Sequence, residues 1–416
     1  MVRQWKVAGA TVLAALIVVM LSCTGCVRGE DAVVEADAGS HEATAVPTSA
    51  PWPRARSTET SAPPIEMDEY RLPAGAFLKG HASRMAVFHD SNFDGSGGNR
   101  IRLLDLVTGE HAVVVPGALE PSGDFTILGV RCSDEWIVWE EELGDVLLHP
   151  LDGEWRLWAA PIIPGETPRV GEPVKVRGIV STAVESRPLF SVVGDQLYYM
   201  TNQAPNAKQE GVVRGARIRV VDLGTGEERV VYQTTRNMMT FVVQDGCLVM
   251  SEWVSTDSEA IELVVYDLQS ERVVERAPLD NRKQVSHYPV YDGDVMAWAE
   301  LDDDLPRPRL YIKGPDGSVL LLDDTGGDPL LVGGCIVYEA HPRTQVLTGY
   351  WKEHAQLRVY DPVTRTRFVL TDVAEGEGWQ GGIGIPSSES TLVVSVDTPP
   401  GLADSKGTIV RVYHFR

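Results

Sequence analysis

A strand-and-turn pattern that keeps returning limits this chain more than any other feature. Its clearest copy runs from Pro188 to Tyr232. An apolar run, Pro188 to Val193, meets a Gly194-Asp195 turn, and a second, Leu197 to Met200, is followed by a polar loop to Arg214. A third, Ile218 to Val221, ends in Asp222-Leu223-Gly224-Thr225-Gly226, and a fourth, Arg229 to Tyr232, closes the unit. Short apolar and β-branched runs bounded by Gly, Asp, Asn and Pro predict strands, and no long 3.6-residue period predicts a helix. A four-strand unit this small cannot cover both of its faces, so copies must stack on one another.

The outline can be laid down seven times from about Met67 onward. Second strands are predicted around Met85–Phe88, Trp136–Trp139, Leu197–Met200, Leu248–Met250, Val295–Trp298, Ile336–Tyr338 and Leu392–Val394. Third strands with their closing turns are predicted at Ile101–Gly109, Trp155–Ile162, Ile218–Gly226, Leu263–Ser270, Leu310–Gly317, Leu357–Thr364 and Ile409–Phe415. The second strands are apolar at successive positions, as expected of sheets that pack on both faces. Trp139, Tyr199, Trp253, Trp298 and Tyr338 are placed to fill the space between sheets. In Asp105-Leu106-Val107-Thr108-Gly109 and Asp222 to Gly226, the Asp can accept from backbone N–H groups ahead of it, and the Gly supplies a positive φ. Asp267 to Ser270 and Asp361 to Thr364 keep the Asp and lose the Gly.

These turns and strands form degenerate copies of x-Gly-Asp-x-[Leu/Ile/Val]-[Val/Tyr/Ala]-[Tyr/Trp/Met] and [Val/Leu]-x-Asp-Leu-x-Thr-Gly-Glu. They resemble the repeats of TolB-like β-propellers, related in shape to WD-repeat proteins, and the third strands recur at a propeller-like spacing of about 45 to 60 residues. The resemblance covers residues 67–416 and implies an all-β propeller, with seven four-stranded blades expected and six as the alternative count. The last repeat stops after its third strand, and an open edge is a liability. The missing outer strand is expected from Glu66 to Leu72, so that the N-terminal strand completes the C-terminal blade.

Before the repeats come two segments of different texture. Arg3 and Lys6 precede an uncharged run, Val7 to Leu21, of signal-peptide rather than membrane-spanning length. It ends in Ser22-Cys23-Thr24-Gly25-Cys26, which resembles the lipobox of bacterial lipoproteins. The resemblance implies removal of residues 1–25 and acylation of Cys26, with Cys23 the alternative; Cys23 stands where the family usually has Leu. Residues 26–66, rich in Ala, Thr, Ser, Pro and Glu, read as the acylated Cys and a disordered tether. A flexible chain of about forty residues spans roughly 35 Å, enough to hold a domain clear of a lipid surface.

The chain carries 59 acidic against 37 basic residues, for a formal charge of −22. That balance repels phosphate backbones and excludes nucleic acid as a partner class. Cys132, Cys247 and Cys335 remain after the leader, an odd number that makes no complete disulfide framework. They read as small buried or half-buried residues.

Chemistry-bearing constellations are sparse. Asp90-Ser91-Asn92-Phe93-Asp94-Gly95 matches the first half of a calcium loop, with Asp90, Asn92 and Asp94 as the candidate ligands. Ile101 occupies the position where a bidentate acid would complete it, and a plain Gly-rich hairpin loop reads the same residues equally simply. Glu140-Glu141-Glu142 follows a strand and reads as exposed. His81, His89, His287, His341 and His414 are scattered over the repeats. Zincin, phosphate-loop and Gly-x-Ser-x-Gly signatures are all missing. The expectation is a monomeric lipoprotein, extracytoplasmic and membrane-bound through its lipid. Its propeller would bind a protein, peptide or cell-envelope ligand, with no cofactor other than calcium admitted. The alternative is an extracytoplasmic hydrolase, lyase or oxidoreductase with a site assembled at the central mouth.

Overall fold

The protein is seen in a computed structural model that describes residues 53–415, except 64, 91–98, 121–124, 144–152, 180–184, 204–214, 255–260, 280–282, 286–288, 303–304, 341–355, 373–384, 387–389 and 398–406. Cys23, Cys26 and the tether up to 52 lie outside the described residues. The described residues are all strand, turn and loop, and their strands form seven small sheets.

The sheets follow the repeats. Blade 1 is built from Ala76–His81, Met85–Asp90, Arg100–Asp105 and His111–Val115; blade 2 from Phe125–Cys132, Trp136–Leu143, Glu154–Ile163 and Val174–Ile179. Blade 3 holds Leu189–Val193, Gln196–Gln203, Gly215–Asp222 and Glu228–Thr234; blade 4 holds Met238–Gln244, Cys247–Trp253, Ile261–Asp267 and Arg272–Pro278. In blade 5 the first strand is split into Lys283–Val285 and Val290–Tyr291, followed by Met296–Asp302, Leu305–Lys313 and Val319–Asp323. Blade 6 is Gly326–Val332, Cys335–Ala340, Gln356–Asp361 and Thr366–Asp372. Blade 7 combines Thr391–Asp397 and Thr408–His414 with Glu66–Leu72, which pairs antiparallel with Thr408–His414. The N-terminal strand thus completes the C-terminal blade, as the truncated last repeat predicts.

Burial shows that the blades form a ring. Alternate residues of each second strand face opposite neighbours. In blade 1, Met85 and Val87 join a core with Ile127, Val130, Ile137 and Trp139 of blade 2, while Ala86 and Phe88 join one with Val393, Val410 and Val412 of blade 7. Five further clusters link blades 2 to 3, 3 to 4, 4 to 5, 5 to 6 and 6 to 7. An open row of seven sheets has six interfaces; the seventh, between blades 7 and 1, closes a seven-bladed β-propeller. Trp139, Tyr199, Trp298 and Tyr338 are fully buried in these interfaces, and Trp253 is half-buried. Cys132 and Cys247 are buried, Cys335 is half-buried, and none of the three is bridged.

The chain reaches blade 7 by an unexpected route. Arg54 bridges Leu321 on the outer strand of blade 5, and Thr58–Glu59 pairs parallel with Thr366 and Arg367 on the outer strand of blade 6. Ala55 packs on the core between blades 5 and 6, Ile65 on that between blades 6 and 7, and Tyr70 on the closing core. Residues 53–63 and Ile65 fall inside the stretch read as disordered tether, and here they are a strap along the rim. Small apolar residues spaced among polar ones carry no periodicity, so the sequence alone does not mark them.

The turns work as their composition predicts. Asp105 Oδ1 accepts from the N–H of Val107 and Thr108 at 2.9 and 3.2 Å, and Asp222 Oδ1 from that of Thr225 at 2.8 Å. Gly109 and Gly226 follow with φ of 75° and 77°. Where the Gly is lost, another residue takes the left-handed conformation: Glu271 at φ 52° and Arg365 at 56°.

Outer strands in blades 1 to 6 share a further device. Each carries one extra residue against its third strand: Val114, Val176, Val231, Val274, Leu322 and Leu370. Such bulges sharpen local twist and spoil the edge for pairing with other chains.

Candidate binding site at the mouth of the central channel

The first strands line the channel, and several are irregular. In blade 1, Leu78 pairs with Phe88 and Gly80 with Val87, so Lys79 is an extra residue opposite one step of its partner. In blade 2, Ile127 pairs with Glu141 and Val130 with Trp139, so Leu128 and Gly129 share a bulge opposite Glu140. In blade 3, Glu185 bridges Gln203 and Leu189 pairs with Met200, so the stretch holding Arg187 and Pro188 also has one residue too many. Gly80, Gly129 and Pro188 give local reasons: glycine tolerates a bulge, and proline has no N–H to give a ladder. Bulges re-aim side chains, and these bring Lys79 and Arg187 toward one place.

That place is an open cavity of about 490 Å³ lined by the first strands of blades 1 to 4. Leu78, Leu128, Pro188, Leu189, Phe190 and Phe241 form its apolar walls. Its charged lining is Lys79, Arg131, Arg187 and Glu140. Gly129 is essential to the shape: a Cβ there would stand 3.0 Å from the Phe190 ring and 3.2 Å from Glu140 Oε2.

Charge is unevenly balanced in this cavity. Arg187 forks onto buried Glu140, with Nε to Oε1 at 2.7 Å and Nη2 to Oε2 at 2.9 Å, and its Nε lies 3.7 Å from Glu142 Oε2. Arg131 donates through Nη1 to the carbonyls of Lys79 and Val130 at 3.0 and 2.8 Å, and its guanidinium lies 5.9 Å from the Phe190 ring centre. The Lys79 ammonium has no carboxylate partner among the described residues. Burial, with Arg131 and Arg187 nearby, holds its pKa below the usual lysine value. Burial raises the Glu140 carboxyl against the pull of Arg187. Glu142 is pushed up to about 7 by burial, with Arg187 opposing and Glu140 adding to the rise. Neither Glu142 oxygen has a hydrogen-bond partner among the described residues.

The three glutamates at 140–142 correct the sequence reading, which left them exposed. All three are at most 1% exposed. Glu140 and Glu142 point with Val138 toward blade 3; Glu141 points with Trp139 toward blade 1. Glu141 accepts from the Trp139 indole at 3.0 Å and from the N–H groups of Leu119 and Glu120 at 2.7 and 3.1 Å. Glu300 takes the Trp298 indole at 2.9 Å in blade 5, so Trp-x-Glu is a structural pair in two blades. That spacing was a signal available in the sequence.

The other sequence candidates go elsewhere. Asp90 is bound in a fork by buried Arg102, with Nε at 3.1 Å and Nη2 at 2.8 Å, which leaves its carboxylate already neutralised by a guanidinium. Asn92 and Asp94 lie outside the described residues, as do His287 and His341. Among the described residues no group of three His, Cys, Asp or Glu side chains is placed to hold a metal ion. His81 is fully buried at the closing interface: its Nδ1 lies 3.3 Å from the Ala82 carbonyl, and Val393 N–H donates to Nε2 at 3.4 Å. His414 meets Asp68 at 3.0 Å on the closing strand.

No protein-family model matches the chain, and no curated protein matches it. Solved structures do. A prolyl endopeptidase aligns at 12% identity over 78% of this chain and 46% of its own, with a TM-score of 0.50. An oligogalacturonate lyase from Vibrio parahaemolyticus aligns at 12% identity over 87% of this chain and 98% of its own, with a TM-score of 0.48. TolB from Acinetobacter baumannii aligns at 14% identity over 82% of this chain and 80% of its own, with a TM-score of 0.35. The likeness is one of fold. This chain spans less than half the length of the prolyl endopeptidase. The propeller expected from the TolB-like repeats is the propeller found, and propellers host many unrelated activities.

Proposed function

We propose that this chain is a lipid-anchored, extracytoplasmic binding module that holds a protein, peptide or cell-envelope ligand at the mouth of its central channel. The observation that carries the reading is the open cavity on the first strands of blades 1 to 4, with apolar walls and clustered cations in a chain of formal charge −22. A concave, mostly apolar site with a few convergent charged groups is the ordinary form of a ligand pocket. The lipobox-like Ser22-Cys23-Thr24-Gly25-Cys26 supports the anchor. Leu189→Arg, on the cavity wall, should abolish capture of the partner that the wild-type soluble domain retains from membranes. Metabolic labelling with an alkynyl fatty acid should mark the wild-type chain and spare Cys26→Ala; labelling lost only in Cys23→Ala would move the anchor to Cys23.

A second reading has one observation in its favour. Burial pushes the Glu142 carboxyl up to about 7 beside Glu140 in the wall between blades 2 and 3, a value suited to a general acid or base. Turnover of a peptide or glycan substrate that falls in Glu142→Gln would establish an enzyme in place of a binding module.

A further inference from the structure

The cavity's charge balance says what kind of ligand it takes, provided the channel mouth is where ligand binds. Three cations, Lys79, Arg131 and Arg187, gather there, each brought in by a different blade. Like charges held together are costly unless an anion joins them. Among the described residues the nearby carboxylates are Glu140 and Glu142, and Arg187 engages both. Neither Lys79 nor Arg131 forms an ion pair with a carboxylate among the described residues, although Arg131 also pulls on Glu140 from a longer distance. Among the described residues one positive charge therefore remains in excess, or two while Glu142 keeps its proton. That matches a single carboxylate better than a multiply charged group.

The geometry agrees. Lys79 is the extra residue of its bulge, as Met239 is in blade 4, and so stands outside the ladder pairing. Arg131 fixes its Nη1 on two backbone carbonyls, which orients the guanidinium and leaves Nε and Nη2 without hydrogen-bond partners among the described residues. A guanidinium edge and an ammonium are the donors that recognise a carboxylate. Phe190, beneath the Arg131 guanidinium, and Leu78, Leu128 and Phe241 offer apolar contact beside those donors. A volume of about 490 Å³ suits the last residues of an extended chain rather than a folded surface.

We propose that the channel mouth captures the free carboxyl terminus of a peptide with an apolar last side chain, Lys79 and Arg131 holding the carboxylate and Phe190 the side chain. The terminal carboxylate is the group whose removal leaves everything else in place, so it is the group to test. N-acetyl-Ala-Ala-Phe as free acid and as C-terminal amide should be titrated calorimetrically into the domain. The acid should bind at least about tenfold more tightly than the amide, a difference of about 1.4 kcal/mol. Lys79→Met keeps the apolar stem and should bring the acid down to the amide's affinity without changing the melting temperature. Arg131→Lys should weaken the acid selectively, and Phe190→Ala should weaken both peptides. Equal binding of acid and amide, or binding of neither, overturns the proposal. The broader reading is judged separately: partner capture blocked by Leu189→Arg but indifferent to Lys79→Met overturns the carboxylate and leaves a binding module, whereas capture indifferent to both removes the channel mouth as the binding site.

Discussion

At the scale of single residues, two kinds of position store a cost that substitution can reveal. Glu271 and Arg365 sit in left-handed conformations where the better copies of the turn have Gly. Such a conformation costs roughly 1–2 kcal/mol for a residue with a Cβ, partly offset by the entropy glycine loses on folding. Glu271→Gly and Arg365→Gly should each stabilise the domain by about 0.5–1 kcal/mol in urea denaturation. His81 is the other kind. Burial lowers its folded pKa from 6.5 to about 4, so the folded state resists protonation that the unfolded chain accepts. Its contribution is intact above pH 6.5 and is lost as pH falls toward 4, a change of roughly 3 kcal/mol over the window. Urea midpoints measured at pH 7 and pH 4.5 should differ, and His81→Gln should narrow the difference. Legibility at this scale followed locality. Asp105 and Asp222 were readable because an Asp accepting from the next N–H groups is a short-range event. Glu140 and Glu142 were misread because their burial depends on Arg187, which lies a blade away in sequence and beside them in space.

At the scale of elements, all seven second strands and all seven third strands lie where their apolar runs predict. Two-faced burial leaves a mark on consecutive residues, and a single chain displays it. The first strands were less legible, and they are the ones that make the site. An extra residue at Lys79 or beside Arg187 changes no composition; only Gly80, Gly129 and Pro188 hint at it. The closing strand was legible from an incomplete repeat. It also differs from the other outer strands, pairing through Glu66–Leu72 with no shift of register. Leu72, 3% exposed, lies in the core between blades 7 and 1. Leu72→Ala should cost about 2–5 kcal/mol. Deleting Glu66–Leu72 should lower the melting temperature further and broaden the transition by calorimetry, because blades 1 and 7 would lose a shared wall. Tyr70 adds to that wall by donating its hydroxyl to the Leu106 carbonyl of blade 1.

At the scale of the whole molecule, the ring and its N-terminal approach form one mechanical system. The strap touches blade 5 at Arg54 and blade 6 at Thr58–Glu59 before it becomes the outer strand of blade 7 at Glu66–Leu72. Tension applied to residue 53 therefore reaches those attachments one after another. The attachment around Arg54, two backbone hydrogen bonds to Leu321 and an ion pair with Asp324, must fail first and the two pairs at Thr58–Glu59 second, while the seven paired residues of the closing strand stay in register. Each early release pays out only a few residues, about 3.5 Å apiece. In an optical trap pulling between residues 53 and 415, two short steps should precede the large extension that marks ring opening; one concerted rupture would show that the strap shares load with the ring. A chain stretched at its N-terminus would thus yield slack before it yields shape, and the channel mouth would keep its geometry under forces that had already stripped the rim.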